Sequence, residues 1–476
     1  MIKCTSIALL VLLSATLAAA DEVYNEVYRP QFHFSPKKNW TNDPNGLVYY
    51  KGTWHLFFQH NPKGIEWGNM TWGHATSPDL VHWTELGLAI EPDELGTIFS
   101  GSAVVDWNNT SGLQTARADA ARADAGDEKV LCAFYTAAGK PFTQCMAYSN
   151  DAGKTWVKYE RNPIIPNIAG DNRDPKVIWH EPSKKWVMAL YLVDNDFAIL
   201  GSTNLKEWNL LQRFTIPGSS ECPDFFSMTV LGKSDETKWV FAPADGNYLI
   251  GSFDGTAFTP EQDKQEADWG KNFYACQTYS DAPGGRRIQI AWMKGGKYPG
   301  MPFNQQMSFP CELTLQSFPE GLRICRNPVK EIELLRERTQ EWAGLKLQPG
   351  DQPSAEISGE LFDIRADLAF DPENAPLDFG FVLRGEPVKY DPAKKEISCL
   401  GATAPMDSAE GKVQLQLLLD RTTIEAFGNG GKISMSSCFL PDPKNKSVRI
   451  YTNGAPITIT KLEVHHLKST WRKDSP

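Results

Sequence analysis

Along residues 29–327 short apolar runs alternate with clusters of Gly, Pro, Asn and Asp, and no long segment holds a helical period. Runs of that kind, bounded by turn-forming residues, predict β-strands throughout. Aligning the strand ends exposes a repeat, with copies at 74–83, 146–156, 200–208 and 250–258. In each, a strand ends near Ser77, Ser149, Ser202 or Ser252. A turn carrying Asp79, Asp151, Asn204 or Asp254 follows, and Trp83, Trp156, Trp208 or Phe258 opens the next strand. Small sheets recurring every few tens of residues make a β-propeller. Four such hairpins and a later apolar run at 288–293 predict a five-bladed β-propeller over residues 21–327.

The pattern changes at Pro328. A charged stretch with apolar residues at helical spacing follows, and Pro328 suits a first helical turn, so residues 328–345 are expected as a helical linker. Beyond it the alternation returns, with strands expected at 361–370, 379–384, 413–420, 424–427, 448–451 and 457–464. The fold class is therefore all-β, a five-bladed propeller followed by a C-terminal β-sandwich over 346–476. Residues 106–129, with Ala-Arg-Ala-Asp-Ala occurring twice in succession, read as an exposed loop insertion.

At the start, Lys3 precedes an apolar run from Ile7 that ends in Leu17-Ala18-Ala19-Ala20. That is the pattern of a secretory leader cut after Ala20, too short to span a membrane, and it predicts a secreted protein without membrane insertion. The formal net charge of -10 over 476 residues leaves no basic surface for nucleic acid. Eight cysteines beyond the leader are scattered, with no Cys-x-x-Cys pair, which indicates neither a zinc site nor a compact disulfide scaffold; most are expected as buried thiols. Fifteen Trp permit a carbohydrate ligand without establishing one.

Three acidic segments carry candidate chemistry. Asn42-Asp43-Pro44-Asn45-Gly46 sets a carboxylate between amides, with Pro44 holding it out of the α region and Asn45-Gly46 reading as a turn before a strand at Leu47. Arg173-Asp174-Pro175 repeats the Asp-Pro arrangement, and Glu221-Cys222-Pro223-Asp224 places a carboxylate beside sulfur. Each precedes an apolar strand, and in a propeller the starts of the innermost strands converge on one funnel. Taken singly, each acid is an ordinary turn or solvated loop charge. Together they are what glycosidic cleavage needs, one acid to protonate the leaving oxygen and one carboxylate to attack the anomeric carbon.

Trp40-Thr41-Asn42-Asp43-Pro44-Asn45-Gly46 resembles the sucrose-and-fructan signature of glycoside hydrolase family 32, the invertases, inulinases and levanases. Arg173-Asp174-Pro175 and Glu221-Cys222 are similar to its other two catalytic motifs. So are Phe57-Phe58-Gln59-His60-Asn61-Pro62, Trp67-Gly68, Phe99-Ser100-Gly101-Ser102, Phe134-Tyr135-Thr136, Ala291-Trp292-Met293 and Asp420-Arg421-Thr422-Thr423-Ile424-Glu425-Ala426-Phe427. The resemblance implies that Asp43 is the nucleophile, Glu221 the general acid/base and Asp174 the transition-state stabiliser. It implies that Asn42, Gln59, Trp67, Phe99, Ser100, Arg173 and Trp292 line the fructose subsite. Thr41 and Ala137 depart from the family's usual residues.

The implied activity is a secreted, retaining β-fructosidase releasing terminal fructose from inulin, levan or sucrose. The 64–73 segment resembles exo-acting inulinases and levanases more than plant-type invertases. No metal or cofactor is required by such a mechanism. Glu221 is expected to have a raised pKa and Asp43 to stay ionised. A sucrose-preferring invertase and a fructosyltransferase use the same triad. A sialidase-like enzyme would fit the turn at 149–156, yet needs an arginine cluster of which only Arg173 is present. A non-catalytic sugar-binding propeller would normally have lost one of the three acids.

Overall fold

A computed structural model describes residues 24–115, 128–353 and 357–471. The expected leader at 1–20 and the duplicated segment at 116–125 lie outside the described residues. Among the described residues up to Pro328, five antiparallel sheets follow one another along the chain. Their first strands, Asn39–Tyr50, Thr97–Asp106, Arg173–His180, Asp224–Thr229 and Tyr274–Thr278, neighbour one another in that cyclic order, the last touching the first. The ring is also tied where Phe303–Asn304, from within the fifth sheet's segment, pairs in parallel with Asn39 and Trp40 of the first sheet.

Burial on both faces explains the apolar runs. In strand Lys185–Val193, Trp186, Met188, Leu190 and Leu192 pack towards the second sheet. The alternate residues Val187, Ala189 and Tyr191 pack towards the fourth, against Phe225, Phe241 and Phe258. Comparable cores fill the other gaps: Phe57 and Trp72 against Ile98 and Val105, Phe226 and Val240 against Leu313 and Ile324, and Leu56 and Phe58 against Ile288 and Phe309.

The recurrent turn joins the third strand of a sheet to the fourth. Ser77 Oγ donates to Asp79 at 3.1 Å and Ser149 Oγ to Asp151 at 2.7 Å. Ser202 Oγ bonds Asn204 at 3.3 Å, and Asp254 accepts from Thr256 and Ala257. The side chain closes the loop locally, which is why the motif was legible.

The helical linker expected at 328–345 is not present. One 3-10 turn, Lys330–Leu335, buries Ile332 and Leu335, and a spacing of three serves that turn as well as an α-helix. The chain then extends as Arg336–Leu347, an edge strand paired antiparallel with Ile457–Leu467. Its inward-facing residues run with period two, half-buried Gln340 and Trp342, then half-buried Leu345 and buried Leu347 after Gly344. This strand opens a six-stranded sheet that packs on a five-stranded one to form the sandwich. Strands Glu386–Asp391, Glu396–Cys399, Ala402–Pro405 and Ile433–Cys438 complete it beyond those the sequence suggested.

The two units share a buried polar seam. His33 lies between Asp420 and Glu425, 2.9 Å from each, and Asp420 also accepts from the backbone N–H groups of Gln31 and Phe32. Arg326 bonds Asp268 at 2.7 Å, which in turn accepts from Ser434 and Ser436. All eight cysteines of the described residues are free, and seven are buried.

Candidate active site

The acids gather at the starting ends of the inner strands. Asp43 does not precede a strand, as the turn signal suggested; it lies inside one. Strand Asn39–Tyr50 breaks register with Thr53–Asn61 twice, between Thr41 and Pro44 and between Asn45 and Val48. Pro44 has no N–H to give to the ladder, and Gly46 has φ +53° with Phe57 only 2.5 Å from where a Cβ would stand. Asp-Pro-Asn-Gly therefore forms bulges rather than a hairpin turn. The first bulge presents the Asp43 carboxylate, which accepts from Ser100 Oγ at 2.6 Å and Asn42 Nδ2 at 3.1 Å. Asn42 is oriented by Trp40 Nε1, which donates to its Oδ1 at 2.8 Å.

Asp174 is the second residue of its strand, buried, and left-handed at φ +67°. Its N–H donates to Thr136 Oγ1 at 3.0 Å, and its carboxylate accepts from the Cys222 N–H at 3.0 Å. Glu221 and Cys222 also have positive φ, 59° and 37°, in the loop before Asp224–Thr229. Such strain in non-glycine residues persists only where the surroundings enforce it, and here it falls on two of the acids, Asp174 and Glu221, and on the Cys222 that follows. The Cys222 sulfur lies 3.5 Å from Asp43 Oδ2 and 3.4 Å from Asp174 Oδ2, so the two aspartates face one thiol. Glu221 accepts from Arg173 at 2.7 Å and from the Tyr274 hydroxyl.

The remaining sequence-predicted residues surround this group. Gln59 stands opposite the first bulge, buried, its Nε2 without a hydrogen-bond partner among the described residues. Trp67, 58% exposed, meets Phe99 edge-on at 6.0 Å, next to Ser100. Trp292 packs edge-on to Trp40 at 6.1 Å and to Tyr274 at 6.2 Å, its Nε1 donating to Gln305. Thr41 is turned inward, donating to the Gln59 carbonyl at 3.0 Å. Tyr274 and Lys294, whose ammonium lies 3.8 Å from the centre of the Tyr274 ring, were not found from sequence. Neither belongs to a local motif; only the ring of sheets brings Tyr274 to Glu221.

The electrostatics reverse the expectation for Glu221 and shift both aspartates upward. Burial raises the Asp43 pKa despite its bonds to Ser100 and Asn42. Burial, aided by the Asp43 and Glu221 charges and opposed by Arg173, pushes Asp174 up to about 7. Glu221, expected to be raised, is lowered: burial acts upward, but the Tyr274 and Arg173 donors outweigh it. The sequence placed Arg173 beside Asp174 and gave no sign that its guanidinium and a tyrosine reach Glu221.

Residues 33–328 match the glycosyl hydrolases family 32 N-terminal domain, and residues 331–466 match that family's C-terminal domain. A levanase of Bacillus subtilis is 40% identical over 95% of this chain and 72% of its own length. An invertase of Wickerhamomyces anomalus is 34% identical over 98% of this chain and 100% of its own. The crystal structure of an exo-inulinase from Aspergillus awamori superposes with a TM-score of 0.84 at 30% identity, covering 94% of this chain and 100% of that one. The three acids, the ring of sheets that assembles them and the following sandwich thus belong to one scheme, and the chain is a member of glycosyl hydrolase family 32.

Proposed function

We propose that the chain is an exported, exo-acting β-fructosidase that releases terminal non-reducing fructosyl residues from fructans and from sucrose, with retention of configuration. The observation that carries this reading is the convergence of Asp43, Asp174 and Glu221 around Cys222 at one mouth of the ring. The leader pattern supports export, as does the name of a relative, an extracellular exo-inulinase of Aspergillus ficuum that is 33% identical over 94% of this chain.

In this reading Asp43 attacks the anomeric carbon of the fructosyl unit while Glu221 gives its proton to the departing oxygen. The resulting fructosyl-enzyme ester is hydrolysed by water, from which Glu221 takes a proton back. Asp43 approaches this task held by Ser100 and Asn42, which favour the ionised form. Asp174 stays fixed by the Cys222 and Thr136 contacts and shares the positive charge that develops on the ring. Glu221 acquires its proton when substrate excludes water from the pocket and the leaving oxygen displaces one of its donors; lost solvation then shifts the acid upward. Gln59, with an unspent amide donor, Trp67, Phe99 and Trp292 provide the walls for one fructose ring.

The test is hydrolysis of fructosyl fluoride, whose leaving group needs no proton, with and without azide. Glu221→Ala retains formation of the fructosyl-enzyme and is rescued by azide, whereas Asp43→Ala is restored far less. Rescue of the Asp43 variant alone reverses the two roles. Rates on sucrose, inulin and levan then rank the substrates, and product analysis at high sucrose measures transfer against hydrolysis.

A further inference from the structure

The inner strands have a second set of ends. Away from Asp43 the axis of the ring is plugged by buried polar groups. Lys176 Nζ lies 2.9 Å from Asp224 and donates to the Thr278 carbonyl at 2.7 Å, while the Thr278 N–H donates to Asp224 at 2.7 Å. Beyond this plug, the far ends of strands Thr97–Asp106, Arg173–His180 and Asp224–Thr229 enclose a cavity of about 410 Å³. That volume is in the range of small-molecule sites. Its walls include Trp107, Trp179, Trp186, Trp239, Asp281 and Arg287.

Three of the indoles are fixed by their own N–H groups. Trp107 donates to Asp281 at 2.8 Å, Trp179 to Glu181 at 2.5 Å and Trp186 to Thr110 at 2.8 Å. Trp179 and Trp186 also brace each other edge-on at 5.0 Å. Trp107 remains 50% exposed. Arg287 lies over the Phe226 ring, 5.0 Å from its centre, and its hydrogen bonds are long, 3.3 Å to the Ser227 carbonyl and 3.5 Å to that of Tyr279; its buried Nε has no hydrogen-bond partner among the described residues.

These walls discriminate between ligand classes. A purely apolar guest would cover the Arg287 guanidinium without giving its unpartnered Nε an acceptor. An anion would meet Arg287 but also Asp281 and Glu181, on a chain whose formal net charge is -10. A neutral polyol meets both demands, laying its C–H face on a rigid indole and placing hydroxyls between a guanidinium and carboxylates. We propose that this far mouth is a second, non-catalytic site that binds a fructosyl segment of the fructan whose terminus is cleaved at the opposite mouth. The proposal rests on the β-fructosidase reading. Indoles already fixed in place lose little freedom on binding, which lowers the ordering cost of a polymer contact.

The test uses the full chain carrying Asp43→Ala, so that polymer persists, run in native gels containing inulin or levan with saturating sucrose to occupy the catalytic pocket. The expected result is retardation that survives sucrose, is lost with Trp107→Ala and is largely kept with Trp107→Phe. In the otherwise wild-type enzyme, Trp107→Ala keeps kcat/KM on sucrose, which also reports an intact fold, and raises KM on the retained polymer about two- to tenfold. Retardation abolished by sucrose, or unchanged by Trp107→Ala, overturns the site. Equal retardation in a dextran gel overturns the fructosyl class. An enzyme that cleaves neither sucrose nor either fructan overturns the activity on which the proposal rests, a result separable from the gel.

Discussion

His33 gives the sharpest prediction, because its stabilising effect must disappear over a defined pH window. Its imidazole is fully buried, which by itself would lower its pKa, yet hydrogen bonds to Asp420 and Glu425 on the far side of the domain seam raise it to about 9. An unperturbed histidine titrates near 6.5. Because the folded-state pKa is the higher one, the protonated form stabilises the native protein fully below about pH 6.5, and that stabilisation is lost as pH rises through about 9. The interval of roughly 2.5 units corresponds to about 3 kcal/mol, at 1.36 kcal/mol per unit. At about 2.1 cal/mol/K per residue, a chain of this length converts that into a shift of about 3 °C in Tm. The assay is urea unfolding of wild type and His33→Gln at several values between pH 6 and 9.5, following both intrinsic fluorescence and residual activity. Wild type should lead the variant at pH 6, and the lead should shrink by about 3 kcal/mol by pH 9.5. A lead that stays constant across the range would mean that His33 is neutral in the seam and acts by packing alone; a lead that grows with pH would reverse the sign of the argument.

Asp174→Asn should lower kcat by orders of magnitude with the fold intact. Because burial has raised Asp174 to about 7, its ionisation costs stability progressively as pH rises from the ordinary Asp range, near 4, to about 7 and in full above that, so the same variant should be more stable than wild type at pH 8, by a few kcal/mol at most; an unfolded variant would instead identify a structural corner. Tyr274→Phe removes a donor from Glu221, so the Glu221 pKa should rise and the alkaline limb of the kcat/KM profile should move to higher pH. An unmoved limb would separate Tyr274 from the proton inventory of the site. Gly46→Ala places a methyl group 2.5 Å from the Phe57 ring in a left-handed backbone, and should destabilise by about 1–3 kcal/mol. Unchanged unfolding midpoint and activity would show that the bulge relaxes freely.

The sequence by itself determined what short stretches of chain encode. Apolar runs at strand length led to an all-β fold, and the Ser-x-Asp turns marked the hairpins because Ser149 and Asp151 bond only two positions apart. The three acids were legible because Asp-Pro and Glu-Cys-Pro are local chemistry. Tertiary structure decided everything that depends on partners far along the chain. Arg336–Leu347 is a strand because Ile457–Leu467 offers it an edge, although the residues just before it carry the spacing of a turn of helix. Asp43 stands in a bulge, rather than at a corner, because Thr53–Asn61 supplies the ladder from which it departs. Glu221 is lowered because a tyrosine 53 positions away donates to it, and His33 is raised by a carboxylate 387 positions away. A pKa follows from every charge and dipole that the fold brings within a few ångströms, so no reading of neighbours in sequence could assign the protons of this site.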